Sequence, residues 1–221
     1  MDLHAATSWT HLEEFDRKGF FIIKNVYDSR ALVDSIPNER GMLVYSRNAD
    51  FGSKKGDENI TVRLKDTDER QVSGSVARYT HPKYRQAHTD IRKEIEKHIG
   101  RDLFNTYYYD RFYFPGQELE RHRDRDACEI SISVHAGTNL DEPYPFFIEA
   151  LDDGKYYSIE LEPGDGVVYK GCQVLHWRDK MPGHKGLFSR FNKRMLYYHQ
   201  IFFHYVLADG IRSHCAGDTS S

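Results

Sequence analysis

The sequence is short of cysteine, with three in 221 residues, Cys128, Cys172 and Cys215. An odd number without framework-like spacing excludes a disulfide-stapled scaffold and suits a reducing, cytoplasmic compartment. The first residues, MDLHAATSW, show no basic region followed by an apolar run, so no secretory signal is expected there. No apolar run approaches the ~18 residues that a membrane span needs, and no membrane partner is expected. Charge of one sign is also lacking. The 31 Lys and Arg against 34 Asp and Glu leave a formal net charge of −3, no field that would gather nucleic acid, and no nucleic-acid partner is expected.

What is abundant is aromatic: 15 Tyr and 13 Phe within a hydrophobic fraction of 39%. That composition suits a half-wet β-rich domain better than a helical bundle. The length suits one domain, 1–221, with supporting helices and hairpins over 1–100 and a β core over 101–207. Thr10 with Glu13 has capping-box spacing, and Leu12, Phe15 and Gly19 complete a short helix over 8–18. A strand over 19–26 follows, then a second short helix over 28–36, stopped by Pro37. LVYS and ITVRL are candidate strands in a region of hairpins and loops, 38–80. Tyr84, Ala87, Ile91, Ile95 and Ile99 form the stripe of a helix ended by Gly100. Beyond it the text becomes aromatic strands separated by turns such as Asp153-Gly154 and Pro163-Gly164-Asp165-Gly166, the mark of a sandwich or barrel of antiparallel sheets.

The chemistry centres on RFYFPGQELERHRDRD, residues 111–126. In an extended segment His122 and Asp124 share a face, because strand side chains alternate with period 2. A lone His-x-Asp is a weak signal in a chain with 12 histidines. The second signal is His176 in EPGDGVVYKGCQVLHWRD, where a turn, an apolar strand and a glycine kink set an imidazole at a strand end. Two His and one carboxylate make a facial triad with three open positions, the set used by non-haem Fe(II) oxygenases.

With Tyr113-Phe-Pro-Gly116-Gln117, His122-Arg-Asp124 and His176-Trp-Arg178, the span from about 102 to 206 resembles the Fe(II)/2-oxoglutarate-dependent oxygenases, and within them the prolyl-4-hydroxylase-like branch. The resemblance implies a double-stranded β-helix (a jelly roll, cupin-like) with N-terminal helices in support, an α+β class that is mainly β. It implies His122, Asp124 and His176 as iron ligands and Tyr113 as a contact for 2-oxoglutarate. It implies Fe(II), 2-oxoglutarate and O2 as cofactor and co-substrates, with succinate and CO2 released as a small-molecule or peptide substrate is hydroxylated. A carboxylate at Asp124 favours hydroxylation over halogenation, because related halogenating enzymes resemble this pattern without it.

The far carboxylate of 2-oxoglutarate needs a cation, and a bidentate arginine suits it. In prolyl hydroxylases a lysine stands at a fixed short interval after the distal histidine; here that position is Gly186. Arg178 and Arg194 both remain candidates. If Arg194 opens the last strand, Leu196, Tyr198 and Gln200 share its face. Lys180, Lys185, Arg190 and Lys193 make 178–194 either a solvated loop or a lip that attracts an anion. Arg125 and Asp126 are candidates to orient the ligands. Trp177, Tyr107, Tyr109 and Phe112 read as core or pocket wall, Cys128 as a small buried hydrophobe, and His135, His199 and His204 as structural. The alternatives are a small-molecule hydroxylase and a cupin-like metal-binding module without turnover.

Overall fold

The structure, a computed structural model, describes residues 10–28, 42–46, 59–63, 71–184 and 196–218. The expected helix over 28–36 and Arg194 lie outside the described residues, as do Lys185, Gly186, Arg190 and Lys193. The chain opens with helix α1 (His11–Lys18). Its capping box forms as the sequence predicts: Thr10 accepts from the Glu13 amide, and Glu13 bonds back to the Thr10 backbone. Gly19 closes the helix in the left-handed conformation, φ 85°. Strands β1 (Phe20–Ile23), β2 (Met42–Ser46), β3 (Asn59–Arg63) and β4 (Val76–Tyr79) follow, β2 and β3 pairing as an antiparallel hairpin. Helix α2 (Arg85–Ile99) begins after a 3-10 turn at Pro82–Tyr84.

The rest is antiparallel: β5 (Leu103–Tyr113), β6 (Leu119–His122), β7 (Ile130–Thr138), β8 (Phe146–Glu149), β9 (Tyr156–Ile159), β10 (Gly166–Tyr169), β11 (His176–Arg178) and β12 (Tyr198–Leu207). They form a six-stranded sheet in the order β1-β10-β7-β12-β5-β4 and a four-stranded sheet in the order β6-β11-β8-β9.

Period-2 alternation decides what each face of the large sheet does. Ile130, Ile132 and Val134 of β7 and Ile201, Phe203 and Tyr205 of β12 pack with Phe15 of α1 and the α2 stripe Ala87, Ile91, Ile95 and Ile99. Each such isoleucine, fully buried, contributes roughly 1.5–3 kcal/mol. The opposite face meets the small sheet: Val167 and Tyr169 of β10 join Phe146 and Ile148 of β8 and Ile159 of β9. The molecule is thus layered as helices, large sheet, small sheet. On that inner face the alternating partners are polar: Ser131, Ser133 and His135 of β7, and Gln200 and His204 of β12, all buried. A polar stripe between two sheets is costly unless it is hydrogen-bonded or serves a site.

On the helical side, buried Asp110 accepts from Arg78, from Tyr84 Oη (2.8 Å) and from His199 Nε2 (2.7 Å), tying β4, β5, β12 and the α2 entrance together. Burial would raise its pKa, but the charge of Arg78 and the bonds from His199 and Arg78 hold it far below the usual carboxylate range.

Burial also pushes the imidazoles of His88 and His135 down to about 4 each. Both are neutral in the fold and charge more readily in the unfolded chain, so stability is full above pH 6.5 and falls as the pH drops towards 4. Each group contributes about 1.4 kcal/mol per pH unit across that window, together about 2.8. Urea midpoints measured at pH 7, 5.5 and 4.5 should decline steeply.

Candidate metal centre

β6 and β11 are antiparallel neighbours, and their register sets His122 directly opposite His176. A cross-strand pair shares a face, so the two rings meet with centroids 4.3 Å apart. Asp124 lies two residues past the end of β6, where its amide donates to Gly171 O at 2.9 Å. Its Oδ1 lies 3.4 Å from Nε2 of each histidine. The three ligand atoms fall within 4.8 Å of one another, a group that could hold a metal ion.

The tautomers suit a metal. Nδ1 of His122 lies 2.8 Å from Glu120 O, and Nδ1 of His176 lies 3.2 Å from Val174 O. A carbonyl only accepts, so both Nδ1 atoms carry the proton, which leaves the two Nε2 atoms, both turned towards Asp124, as the positions that can serve as metal ligands. Burial would raise the pKa of Asp124, but the facing imidazoles of His176 and His122 hold it far below the ordinary range. The carboxyl is therefore an anion. Two neutral imidazoles and one carboxylate fit a divalent transition metal. Exposure is graded around them, 25% for the His122 side chain, 12% for Asp124 and 2% for His176, so the centre opens towards His122.

The other oxygen of Asp124 faces the protein. Ser131 Oγ lies 3.2 Å from Oδ2 and 2.9 Å from His204 Nδ1, so the inner stripe of the large sheet braces the ligand. The Cα of Gly171 closes the remaining side: a Cβ there would meet Cys128 O at 2.3 Å and Asp124 Oδ2 at 2.5 Å. Backbone cannot yield as a side-chain tip can. Gly171→Ala should therefore cost about 1–3 kcal/mol of stability, as overpacking does, and weaken metal binding, read by thermal melting and by Co(II) titration.

His176 and Arg178 are two apart on β11, and both residues are buried. Arg178 Nε donates to Gln200 Oε1 (3.1 Å), Nη1 to Tyr144 O and Nη2 to Tyr198 Oη (3.3 Å). The rings of Tyr113, Tyr144, Phe146 and Tyr198 enclose the guanidinium at 4.5–5.8 Å. Among the described residues no carboxylate pairs with it. Phe146 also packs on His176, with centroids 5.6 Å apart, so one ring separates the candidate ligand from the buried cation.

Other expected residues behave differently. Trp177 faces away from the site, stacked on Phe147 (5.4 Å) and under Arg121 (3.9 Å) on the outer surface of the small sheet. Arg125 pairs with Asp218 (2.7 Å) and Asp126 with Arg212 (2.7 Å), whereas Ser131 reaches Oδ2 of Asp124. Phe112 belongs to the helical side, stacked on His199 at 3.9 Å. Tyr113 is fully buried between the two arginines, with Arg111 Nη1 3.5 Å from its hydroxyl. Sequence reasoning missed Ser131, Gly171, Tyr144, Gln71 and Arg111. The alternation Ser131, Ser133, His135 was the available signal for the first: polar residues at period 2 in a strand otherwise made of Ile and Val.

No family model matches the sequence, and no curated protein matches it. Solved structures do match. An oxidoreductase of the 2OG-Fe(II) oxygenase family from Burkholderia pseudomallei superposes with a TM-score of 0.55 at 11% identity, covering 95% of this chain and 91% of that one. This chain has the fold of the 2OG-Fe(II) oxygenases. The non-haem α-ketoglutarate-dependent epimerase SnoN from nogalamycin biosynthesis superposes with a TM-score of 0.51 at 12% identity, covering 87% of this chain and 80% of that one. A prolyl hydroxylase from Trichoplax adhaerens, solved with a hypoxia-inducible-factor peptide fragment, gives 0.50 at 12%, covering 88% and 87%. Among the described residues no helix of this 2OG-oxygenase-like fold is long and apolar enough to cross a membrane.

Proposed function

We propose that the chain is a single-domain Fe(II)- and 2-oxoglutarate-dependent dioxygenase, its two sheets forming a double-stranded β-helix around the iron. The observation that carries the reading is the pairing of two fittings that meet at β11: a converged His/Asp/His group, to which β11 gives His176, and the buried Arg178, which has no carboxylate partner among the described residues. A buried cation is costly without an anion, and a dicarboxylate that reaches from the metal to Arg178 supplies one.

His122, Asp124 and His176 hold the metal, Nδ1–H bonds to Glu120 and Val174 fix both rings, and Ser131 keeps Oδ2 turned away. Arg178, with Tyr113 and Tyr198 beside it, binds the far carboxylate, and Phe146 keeps water from the gap between. When bound, Fe(II) with 2-oxoglutarate and O2 supplies an oxidant that takes hydrogen from a substrate as succinate and CO2 form. The substrate approaches from the His122 side, where the centre is most exposed. Hydroxylation is the proposed outcome, and Asp124, the carboxylate that leaves no place for halide, supports it. Both a peptide and a small molecule are accommodated by this fold, as the prolyl hydroxylase and SnoN illustrate. Three free cysteines suit a cytoplasmic setting.

The test is anaerobic. Fe(II) followed by 2-oxoglutarate should give the visible charge-transfer absorption of the chelate, and admitting O2 should form succinate. Absence of the absorption overturns the oxygenase reading. Absorption without succinate would leave a metal-binding module.

A further inference from the structure

Gln71 stands just before β4, in a stretch whose backbone is pinned. Ser75 N donates to Val72 O at 3.0 Å, Gln117 Nε2 donates to Ser73 O at 3.3 Å, and Val72 is buried with Tyr113 and Leu119. The side chain of Gln71, by contrast, is exposed at the open edge of the metal centre.

Both ends of its amide are fixed by chemistry. Arg111 Nη2 lies 2.8 Å from Gln71 Oε1, and a guanidinium only donates, so that end is the carbonyl. The other end is then the NH2 group, and it lies 3.0 Å from Nε2 of His122. An amide NH2 only donates, so in this contact Gln71 is the donor and Nε2 of His122 the acceptor, the tautomer that the 2.8 Å contact of Nδ1 with Glu120 O also fits. The glutamine therefore caps the very lone pair that a metal would take, and one lone pair cannot serve both.

We propose that Gln71 is a metal-displaced latch, a positioning residue whose amide must leave His122 before a divalent cation can bind. The inference rests on the metal-centre reading above. The pinned backbone and the bond to Arg111 confine the movement to the side chain. The latch holds His122 in its ligand rotamer while no cation is bound, and it lowers the apparent metal affinity by the weight of the bond that is broken. It acts on His122, since His176 is enclosed by Phe146 and Tyr169 and has no such contact among the described residues.

The test is calorimetric titration of the full chain with Co(II), without 2-oxoglutarate, for wild type, Gln71→Ala, Gln71→Met and His122→Ala. Methionine keeps the bulk of glutamine and removes the donor, and the position is exposed, so folding is preserved; circular dichroism checks this. Loss of one neutral hydrogen bond should tighten Co(II) binding about fivefold in both Gln71 variants, while His122→Ala loses it. Unchanged or weaker affinity in the Gln71 variants, with His122→Ala still defective, overturns the latch and leaves the metal centre standing. If wild type binds no Co(II), or His122→Ala binds it as wild type does, the metal-centre reading fails and the latch with it.

Discussion

An Arg178→Met variant is expected to bind Fe(II) as wild type does and 2-oxoglutarate about a hundredfold more weakly. The guanidinium is 1% exposed, and its described acceptors, Gln200 Oε1, Tyr144 O and Tyr198 Oη, are all neutral. Removing one partner of a buried charge pair costs about 2–5 kcal/mol in affinity, or roughly 30- to several-thousandfold. Methionine retains most of the volume among the four surrounding rings, and an apolar replacement for a buried charge is often neutral or stabilising. The melting temperature should hold or rise while 2-oxoglutarate affinity collapses, a split that a merely structural arginine would not give. The measurement is an anaerobic titration of the Fe(II)-loaded protein, followed by its visible absorption. A change under about threefold would move the carboxylate site to another cation, Arg194 being the one that the sequence offers.

His176→Ala should go further and abolish the chelate absorption and succinate formation together. The ring is the most enclosed of the three candidate ligands, at 2% side-chain exposure, and it lies against Phe146 and Tyr169. Water entering the vacated space would lack the bond to Val174 O that aims the imidazole. Two ligands on the more open side, His122 and Asp124, would then be left to hold the metal. Co(II) affinity should fall by more than the roughly hundredfold that loss of an outer partner alone can cost. If the variant keeps wild-type absorption, the triad is misassigned.

The convergence of His122, Asp124 and His176 was legible because it obeys a short-range rule. His122 and Asp124 are two apart in a strand, and His176 and Arg178 repeat that interval on its neighbour, so alternation alone predicts that each pair faces one way. The helices were legible for similar reasons: Thr10 with Glu13, and the stripe from Tyr84 to Ile99, are statements about residues three and four apart. Illegible was whatever depends on which strand lies beside which. Ser131 reaches Asp124 only because β7 crosses behind it, Gly171 matters because its Cα touches a carboxylate 47 positions earlier, and Gln71 meets His122 across 51 residues. Trp177 illustrates the converse error. Next to a ligand in sequence, it points away from the site in space, because neighbours along a strand face opposite ways.

That reversal has a practical consequence. The sequence holds two tryptophans, Trp9 and Trp177, and the second is the peptide neighbour of a candidate metal ligand, yet its indole is stacked dry against Phe147 on the far surface of the sheet. It is one peptide bond from a candidate ligand, yet its ring faces the other side of β11. A change in indole emission on adding Co(II) would thus report occupancy from behind the site, with no probe placed in it.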